Sequence, residues 1–129
     1  MDYSILIRKA MEYKERAYVP YSHFRVGAAI LTENDSIFGG CNIENVSFGA
    51  TNCAERTAIF KAVSEEGKTD IKAIAIVSDE DGYTYPCGIC RQVISEFAAE
   101  DIKIILAKSE EEYIVKEMKD IFPEPFDKF

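Results

Sequence analysis

The sequence has little positive charge for a chain of 129 residues. It contains 15 lysine and arginine residues against 23 aspartate and glutamate residues, which gives a formal net charge of −8 at pH 7. A surface this acidic repels the phosphate backbone of nucleic acids and the anionic lipids of a membrane. We therefore expect neither a nucleic acid nor a membrane as the main partner.

Long apolar runs are also lacking. Charged residues interrupt every candidate before it reaches the length of a membrane span. The start, Met1 to Ser4, has neither the basic segment nor the apolar segment of a signal peptide. These absences predict a cytoplasmic protein, and the length predicts a single domain over residues 1–129.

The spacing of apolar residues predicts alternating helices and strands. Helical periodicity indicates helices over residues 3–18 and 51–66, and a third after Pro86. An apolar run, a polar turn and a return strand predict a hairpin over residues 24–38, and further strands are indicated at residues 71–77, 102–106 and 113–115. This order predicts a three-layer α/β/α sandwich with a mixed, mostly parallel central sheet of about five strands.

Three of the four cysteines stand at the predicted starts of helices. Cys53 begins the second helix, and Cys87 and Cys90 occupy the first turn of the third, where residues i and i+3 are neighbours. The positive end of a helix favours the thiolate form, which is the form that binds Zn²⁺. A cytosolic location argues against disulfides. The pattern therefore predicts three zinc ligands, with the fourth position of the metal open for chemistry.

Glu55 and two arginines complete the predicted centre. Glu55 lies about 200° around a regular helix from Cys53, which suits a group that approaches water on the metal rather than the metal itself. Three thiolates and one Zn²⁺ sum to a charge of −1, so a positive group is expected nearby. Arg56, at i+3 from Cys53, and Arg91, at i+4 from Cys87, can both reach the sulfurs. We predict that at least Arg56 donates hydrogen bonds to a ligand thiolate.

Several segments resemble a known family. The segments CAE at 53–55 and PCGIC at 86–90 resemble the zinc deaminases of nucleosides and nucleobases, a family with a three-cysteine variant and a glutamate that is not a ligand. Longer stretches are similar to the small homotetrameric cytidine deaminases, namely PYSHFRVGAA at 20–29, CNIEN at 41–45, NCAERTA at 52–58 and PCGICRQV at 86–93. The resemblance runs from the first helix to about Pro123, as one catalytic domain.

The resemblance implies a reaction and a metal. It implies zinc-dependent hydrolytic deamination of cytidine and deoxycytidine to uridine and deoxyuridine plus ammonia, a step of pyrimidine salvage. One Zn²⁺ per chain would be held by Cys53, Cys87 and Cys90, and Glu55 would be the proton shuttle. The family also implies a homotetramer with pockets shared between subunits.

It further implies which residues bind the nucleoside. Phe24 matches an aromatic residue that packs on the pyrimidine. Asn42 and Glu44 match residues that hydrogen-bond the ribose 3′-hydroxyl, and Ala54 matches a position whose backbone amide binds the base. Phe126 corresponds to a C-terminal aromatic residue that closes a pocket, often that of a neighbouring subunit.

The sequence departs from the family at two positions and leaves alternatives open. Phe48 stands where tyrosine is common, and His23 stands where lysine or asparagine is common, so the fine substrate preference is not set by the resemblance. One alternative is a deaminase of another cytosine nucleoside, such as a nucleoside antibiotic, and a second is a protein that holds a nucleoside without turning it over. A closed structural zinc site using Cys41 or His23, or a redox pair of Cys87 and Cys90, would be the remaining alternatives.

Overall fold

A computed structural model describes residues 2–129, in which helices and strands alternate. The helices are α1 (Ser4–Lys14), α2 (Ala54–Glu66), α3 (Gly88–Phe97) and α4 (Met118–Ile121). The strands are β1 (Val26–Thr32), β2 (Ile37–Cys41), β3 (Ile71–Ser78), β4 (Ala98–Ala107) and β5 (Tyr113–Lys116), and a 3-10 turn covers Phe48–Ala50. None of the helices in this described part of the chain is both long enough and apolar enough to cross a bilayer.

The five strands form one mixed sheet, as predicted, and their order is β2-β1-β3-β4-β5. The prediction that the sheet is mostly parallel is wrong. Only β3 and β4 pair in parallel, and the other three pairings are antiparallel. The crossover helices do make β2, β3 and β4 run in the same direction. However, the hairpin strand β1 lies between β2 and β3, so these two strands are not neighbours.

The helices cover both faces of the sheet, which confirms the three-layer architecture. Strand β3 shows why, because its side chains alternate in size between the two faces. Ile74 and Ile76 pack in the cluster that includes α2 and α3. Ala73 and Ala75 pack in the cluster that includes α1. The larger core therefore lies beneath α2 and α3, the two helices whose first turns carry the three cysteines of the predicted centre.

Two glycines allow helices to approach the β1–β2 hairpin closely. A Cβ atom added at Gly27 would lie 2.0 Å from the carbonyl oxygen of Ala10 in α1. A Cβ added at Gly40 would lie 2.5 Å from the carbonyl oxygen of Ala54 and from the amide nitrogen of Ala58, both in α2. Only glycine fits at these contacts, and the second contact sets the position of the start of α2.

The limits of the helices differ from the expectation in two places. Helix α2 begins at Ala54 with Cys53 as its N-cap, rather than at residue 51. The backbone of Asn52 instead forms an antiparallel β-bridge with Ile43, in which each N–H donates to the other residue's carbonyl oxygen at 2.9 Å. Helix α1 ends at Lys14 rather than at residue 18, because the chain leaves the helix through a series of tight turns.

Candidate active site

The first turns of α2 and α3 bring three cysteine sulfurs together. Cys53 is the N-cap of α2, Cys87 is the N-cap of α3, and Cys90 lies buried one turn into α3. All three Sγ atoms lie within 4.8 Å of one another. The sulfurs of Cys53 and Cys87 are 3.8 Å apart.

This spacing fits a bound zinc ion. Two sulfurs that each lie about 2.3 Å from a tetrahedral zinc centre are separated by about 3.8 Å. Within residues 2–129, no fourth cysteine, histidine or acidic residue joins the cluster. Cys41 is buried elsewhere and His23 is exposed outside it, so the described residues offer three possible ligands at this cluster and no fourth.

The electrostatics of the cluster favour a thiolate at Cys53. The neighbouring Cys90 thiol and the guanidinium of Arg56 lower the pKa of Cys53 to about 5. The neighbouring Cys53 and burial raise the pKa of Cys90. Arg56 donates from Nη2 to the Cys53 sulfur at 3.2 Å, as its spacing predicts.

Arg91 has a different role from the one expected. Its guanidinium donates from Nε to the carbonyl oxygen of Pro86 at 2.8 Å and from Nη1 to the carbonyl oxygen of Ile121. The last carbonyls of a helix such as α4 lack partners within the helix and so attract a donor. Arg91 therefore holds the segment just before Cys87 against α4, rather than donating to a sulfur.

Glu55 lies buried beside the cysteines. Its side chain lines a cavity of about 170 Å³ together with Cys53 and Cys87, and only 4% of the residue is exposed. A regular helix would separate Glu55 from Cys53, but Cys53 has an extended backbone (φ −75°, ψ 156°), so both residues face the same cavity. Burial raises the pKa of Glu55 to about 7. A carboxyl group with this pKa can both accept and release a proton near neutral pH.

The cavity has further walls, some of them expected. Ala54, at the first position of α2, lines it, and its backbone amide lies where a helix has no internal acceptor. Asn42 lines it from the end of β2. The sequence interpretation did not identify four other lining residues, namely Val26, Thr51, Thr84 and Tyr85. Thr84 and Tyr85 directly precede the Pro-Cys motif, and this position in the chain was the signal available for them.

A second cavity adjoins the first at Thr51, which lines both. It has a volume of about 380 Å³ and contains Glu44 in its wall. The Glu44 carboxylate accepts hydrogen bonds from the backbone of Tyr21 at 3.0 Å and of Ser22 at 3.1 Å, and also from the Ser22 hydroxyl. The Ser22 hydroxyl, followed by these backbone donors, lowers the pKa of Glu44. The apolar ring of Phe48 forms another part of the wall.

Two of the predicted binding residues are linked to each other. The Asn42 side chain donates from Nδ2 to the carbonyl oxygen of Phe24 at 2.8 Å and accepts at Oδ1 from the amide of Val26 at 2.9 Å. An asparagine amide group has a second N–H. This N–H remains available to a ligand in the cavity. Phe24 itself is 37% exposed.

Phe126 is not brought to the cysteine cavity of its own chain. It is 68% exposed and lines a separate cavity with Ser95 and Pro125. Its backbone pairs with the side chain of Gln92, which donates to the Phe126 carbonyl at 2.7 Å and accepts from its amide at 3.4 Å. The C-terminal segment is therefore fastened along α3, with the ring pointing outward.

Comparisons with known proteins agree with these features. The chain matches the family model described as the cytidine and deoxycytidylate deaminase zinc-binding region over residues 2–106. It is 54% identical over 106 residues to a cytidine deaminase of Halalkalibacterium halodurans, with 82% of this chain and 80% of that protein covered. It is 53% identical over 106 residues to a cytidine deaminase of Sporosarcina psychrophila, with 82% and 77% covered. The crystal structure of a cytidine deaminase from Burkholderia pseudomallei superimposes with a TM-score of 0.90 at 40% identity, covering 98% of this chain and 100% of that one.

Proposed function

Because the chain belongs to the family of cytidine and deoxycytidylate deaminases, we propose that it hydrolyses cytidine and deoxycytidine to uridine and deoxyuridine, with release of ammonia. It is a zinc-dependent hydrolytic deaminase, with a place in pyrimidine salvage. One observation carries this proposal above the others. A buried glutamate with a pKa of about 7 shares a cavity with two of the three cysteines of a metal-binding cluster.

The chain's own residues supply the proton transfers. Cys53, Cys87 and Cys90 would hold Zn²⁺, which when bound supplies the Lewis acidity that activates water at neutral pH. Glu55 accepts a proton from the attacking water and delivers it to N3 of the cytosine ring. The water oxygen forms a bond to C4. Glu55 then accepts the remaining proton from the new C4 hydroxyl and donates it to the amino group; the C4–N4 bond breaks as the C4 carbonyl forms, and ammonia leaves.

The remaining walls orient the nucleoside. In the proposed pose the sugar occupies the larger cavity, where the Glu44 carboxylate accepts a hydrogen bond from the 3′-hydroxyl and Asn42 donates its second N–H. The base enters the smaller cavity, where the Ala54 amide donates to it. Phe24 packs against the pyrimidine ring. This arrangement places C4 toward Glu55 and the cysteine sulfurs.

We also propose a homotetramer, in the cytoplasm, whose subunits complete each other's pockets. Phe48 lines the larger cavity and is 73% exposed, and Val46, two residues before it in the sequence, is 79% exposed. Exposed apolar side chains grouped beside a cavity are typical of a surface that a partner covers. Phe126, exposed and outside its own cavity, would serve the pocket of a neighbouring subunit. Gel filtration that shows a fully active monomer would contradict this arrangement.

The test of the proposed function is a parallel assay of turnover and metal on one purified sample. Ammonia release and uridine formation from cytidine, with about one zinc per chain, is the expected result. Zinc without turnover of cytidine would point to another cytosine nucleoside, with Phe48 and His23 as the first positions to examine. A folded sample that neither contains zinc nor gains activity when zinc is added would contradict the proposal.

A further inference from the structure

Asp79 and Arg25 are joined by four hydrogen bonds, although they lie far apart in the sequence. The Asp79 carboxylate accepts from Nε and Nη2 of Arg25, each at 3.0 Å, and from the Arg25 backbone amide at 2.9 Å. The Asp79 backbone amide donates in turn to the Arg25 carbonyl oxygen at 3.1 Å. Asp79 therefore binds both the side chain and the two peptide groups on either side of Arg25.

Asn42 binds the same two peptide groups from the other side. In the first peptide, the Phe24 carbonyl accepts from Asn42 while the Arg25 N–H donates to Asp79. In the second, the Val26 N–H donates to Asn42 while the Arg25 carbonyl accepts from Asp79. The N–H and C=O of a trans peptide point in opposite directions. Both peptide planes are thus held between the two side chains, and a rotation of either plane would break a bond to each.

We propose that Asp79 is a positioning residue for nucleoside binding, acting through these two peptide groups on the side chain of Asn42. The inference rests on the proposed function, in which Asn42 donates to the sugar. Asp79 itself lies outside both cavities and does not touch the nucleoside. It determines the direction of the Asn42 amide, because Asn42 follows the peptide planes that Asp79 holds.

Two further charged residues contact this pair, and one of them provides a control for a loss of charge alone. Lys14 lies 3.2 Å from the Asp79 carboxylate, and Glu15 lies 3.0 Å from Nη1 of Arg25. Loss of Glu15 would remove an ion pair from Arg25 and leave the forked pair with Asp79 in place. Asp79→Asn would replace one of the two acceptor oxygens by an N–H donor, so the three bonds that the carboxylate accepts from Arg25 could no longer all form. Glu15→Gln and Asp79→Asn therefore form a matched pair of substitutions, since each removes one negative charge that contacts Arg25.

The catalytic and binding groups lie on different elements, so an effect on nucleoside binding can be measured separately from an effect on catalysis or on zinc content. The cysteines and Glu55 are carried by the starts of α2 and α3, whereas Asn42 follows β2. For Asp79→Asn we expect the KM for cytidine to rise about tenfold, the equivalent of one misplaced hydrogen bond. We expect kcat and the zinc content to stay within about twofold of the parent values on the same grounds. Glu15→Gln is expected to leave KM unchanged.

Measuring the effect of Asp79→Asn in a protein that already carries Asn42→Ala tests whether Asp79 acts through Asn42. If Asp79 acts through Asn42, adding Asp79→Asn to Asn42→Ala raises KM no further. Additive effects would overturn the proposal, as would an unchanged KM in Asp79→Asn at a temperature where that variant is folded. Arg25→Lys, which keeps the charge and the backbone bonds but loses the fork, should fold readily and raise KM by a smaller factor.

Failure of the proposed function would give a different result. Calorimetric titration with uridine, the expected product, measures nucleoside binding without turnover. A parent protein that binds uridine but does not deaminate cytidine would contradict the proposed reaction, while the shift in Kd between the parent and Asp79→Asn would still test the positioning role. A parent protein that turns cytidine over with no effect of Asp79→Asn would contradict only the positioning role.

Discussion

Arg56 donates a hydrogen bond of 3.2 Å to the sulfur of Cys53, the residue three positions before it. Three thiolates around a divalent ion carry an excess negative charge, which opposes the loss of a proton from water at the site. The guanidinium of Arg56 offsets part of that excess. Arg91 stands at a similar place on α3 but donates to backbone carbonyls instead.

Arg56→Gln should therefore retain zinc and lose activity. Removal of the positive charge makes the site more negative and raises the pKa of the water that is activated there. We expect kcat at pH 7 to fall about tenfold, with the acidic limb of the kcat profile moved to higher pH by up to about one unit. The measurement is a pH–rate profile with the zinc content of each sample determined.

Arg91→Gln is the matched comparison for Arg56. It removes the same charge from the first turns of α3 but no bond to a sulfur, so we expect a lower Tm and an unmoved acidic limb. If both variants moved the limb by the same amount, the effect would be a general one of charge and not of the bond to Cys53.

Glu55→Gln should abolish turnover while the site stays intact. Glutamine has nearly the same shape but cannot carry a proton between water and the ring. We expect kcat to fall about 10³-fold, with the zinc content and Tm close to those of the parent protein. Glu96→Gln, which changes an exposed carboxylate on α3, serves as the control. Substantial activity in Glu55→Gln would assign the proton transfer to another group.

Much of this site could be predicted from residues that are close in the sequence. Cys53, Glu55 and Arg56 share one helix start, so local spacing was enough to bring them together and to give Arg56 its bond to Cys53. Arg91 shows the limit of that reasoning. Its spacing from Cys87 allowed contact with a sulfur. Its guanidinium instead donates to the carbonyl oxygen of Ile121, which lies in a distant part of the sequence.

The same limit applies to the sheet. Alternating strands and helices predicted the direction of β2, β3 and β4, because a helical crossover returns the chain in the same direction. Periodicity carries no information on which strands are neighbours, so the insertion of β1 between β2 and β3 was missed. The pairing of Arg25 with Asp79, 54 residues apart, depends on that insertion, since β1 and β3 pair side by side.

Alanine substitutions of the two close-packed glycines, Gly40 and Gly27, should both reduce stability but should differ in their effect on the metal centre. Gly40→Ala would push the start of α2 away from β2, because the added methyl group meets the backbone of Ala54 and Ala58. Gly27→Ala would push α1 from the opposite face of the sheet. Each change should lower the free energy of unfolding by about 3 kcal/mol, at the upper end of the usual cost of overpacking.

Only the first of these changes should disturb the metal centre. We expect Gly40→Ala to lower zinc content and activity in the fraction that remains folded, since Cys53 and Glu55 move with α2. Gly27→Ala should keep both in its folded fraction. The measurements are denaturant unfolding, zinc per folded chain and specific activity. Equal loss of zinc in the two variants would contradict the separate roles of the two contacts.

Asp79 should also make the protein sensitive to acid. The bond from Arg25, assisted by its backbone amide and by Lys14, holds the pKa of Asp79 well below its ordinary value of 3.8. A carboxyl group with a lowered pKa in the folded state stabilises that state above its unfolded pKa, and the stabilisation is lost as the pH falls through the folded pKa. The Tm of Asp79→Asn should therefore be lower than that of the parent protein at pH 7. Because the ion pair is partly exposed and screened by solvent, we expect a difference of only about 3 °C.

The difference between the two proteins should be constant from pH 7 to about pH 5 and should shrink steadily below about pH 4. In an Arg25→Gln background, where the main cause of the lowered pKa is gone, substitution of Asp79 should produce a smaller difference at pH 7 and a weaker dependence on pH. Scanning calorimetry of the four proteins across this range makes the comparison. A gap between the parent and Asp79→Asn that stayed the same down to pH 3 would show that the loss comes from packing and not from the charge that Arg25 binds.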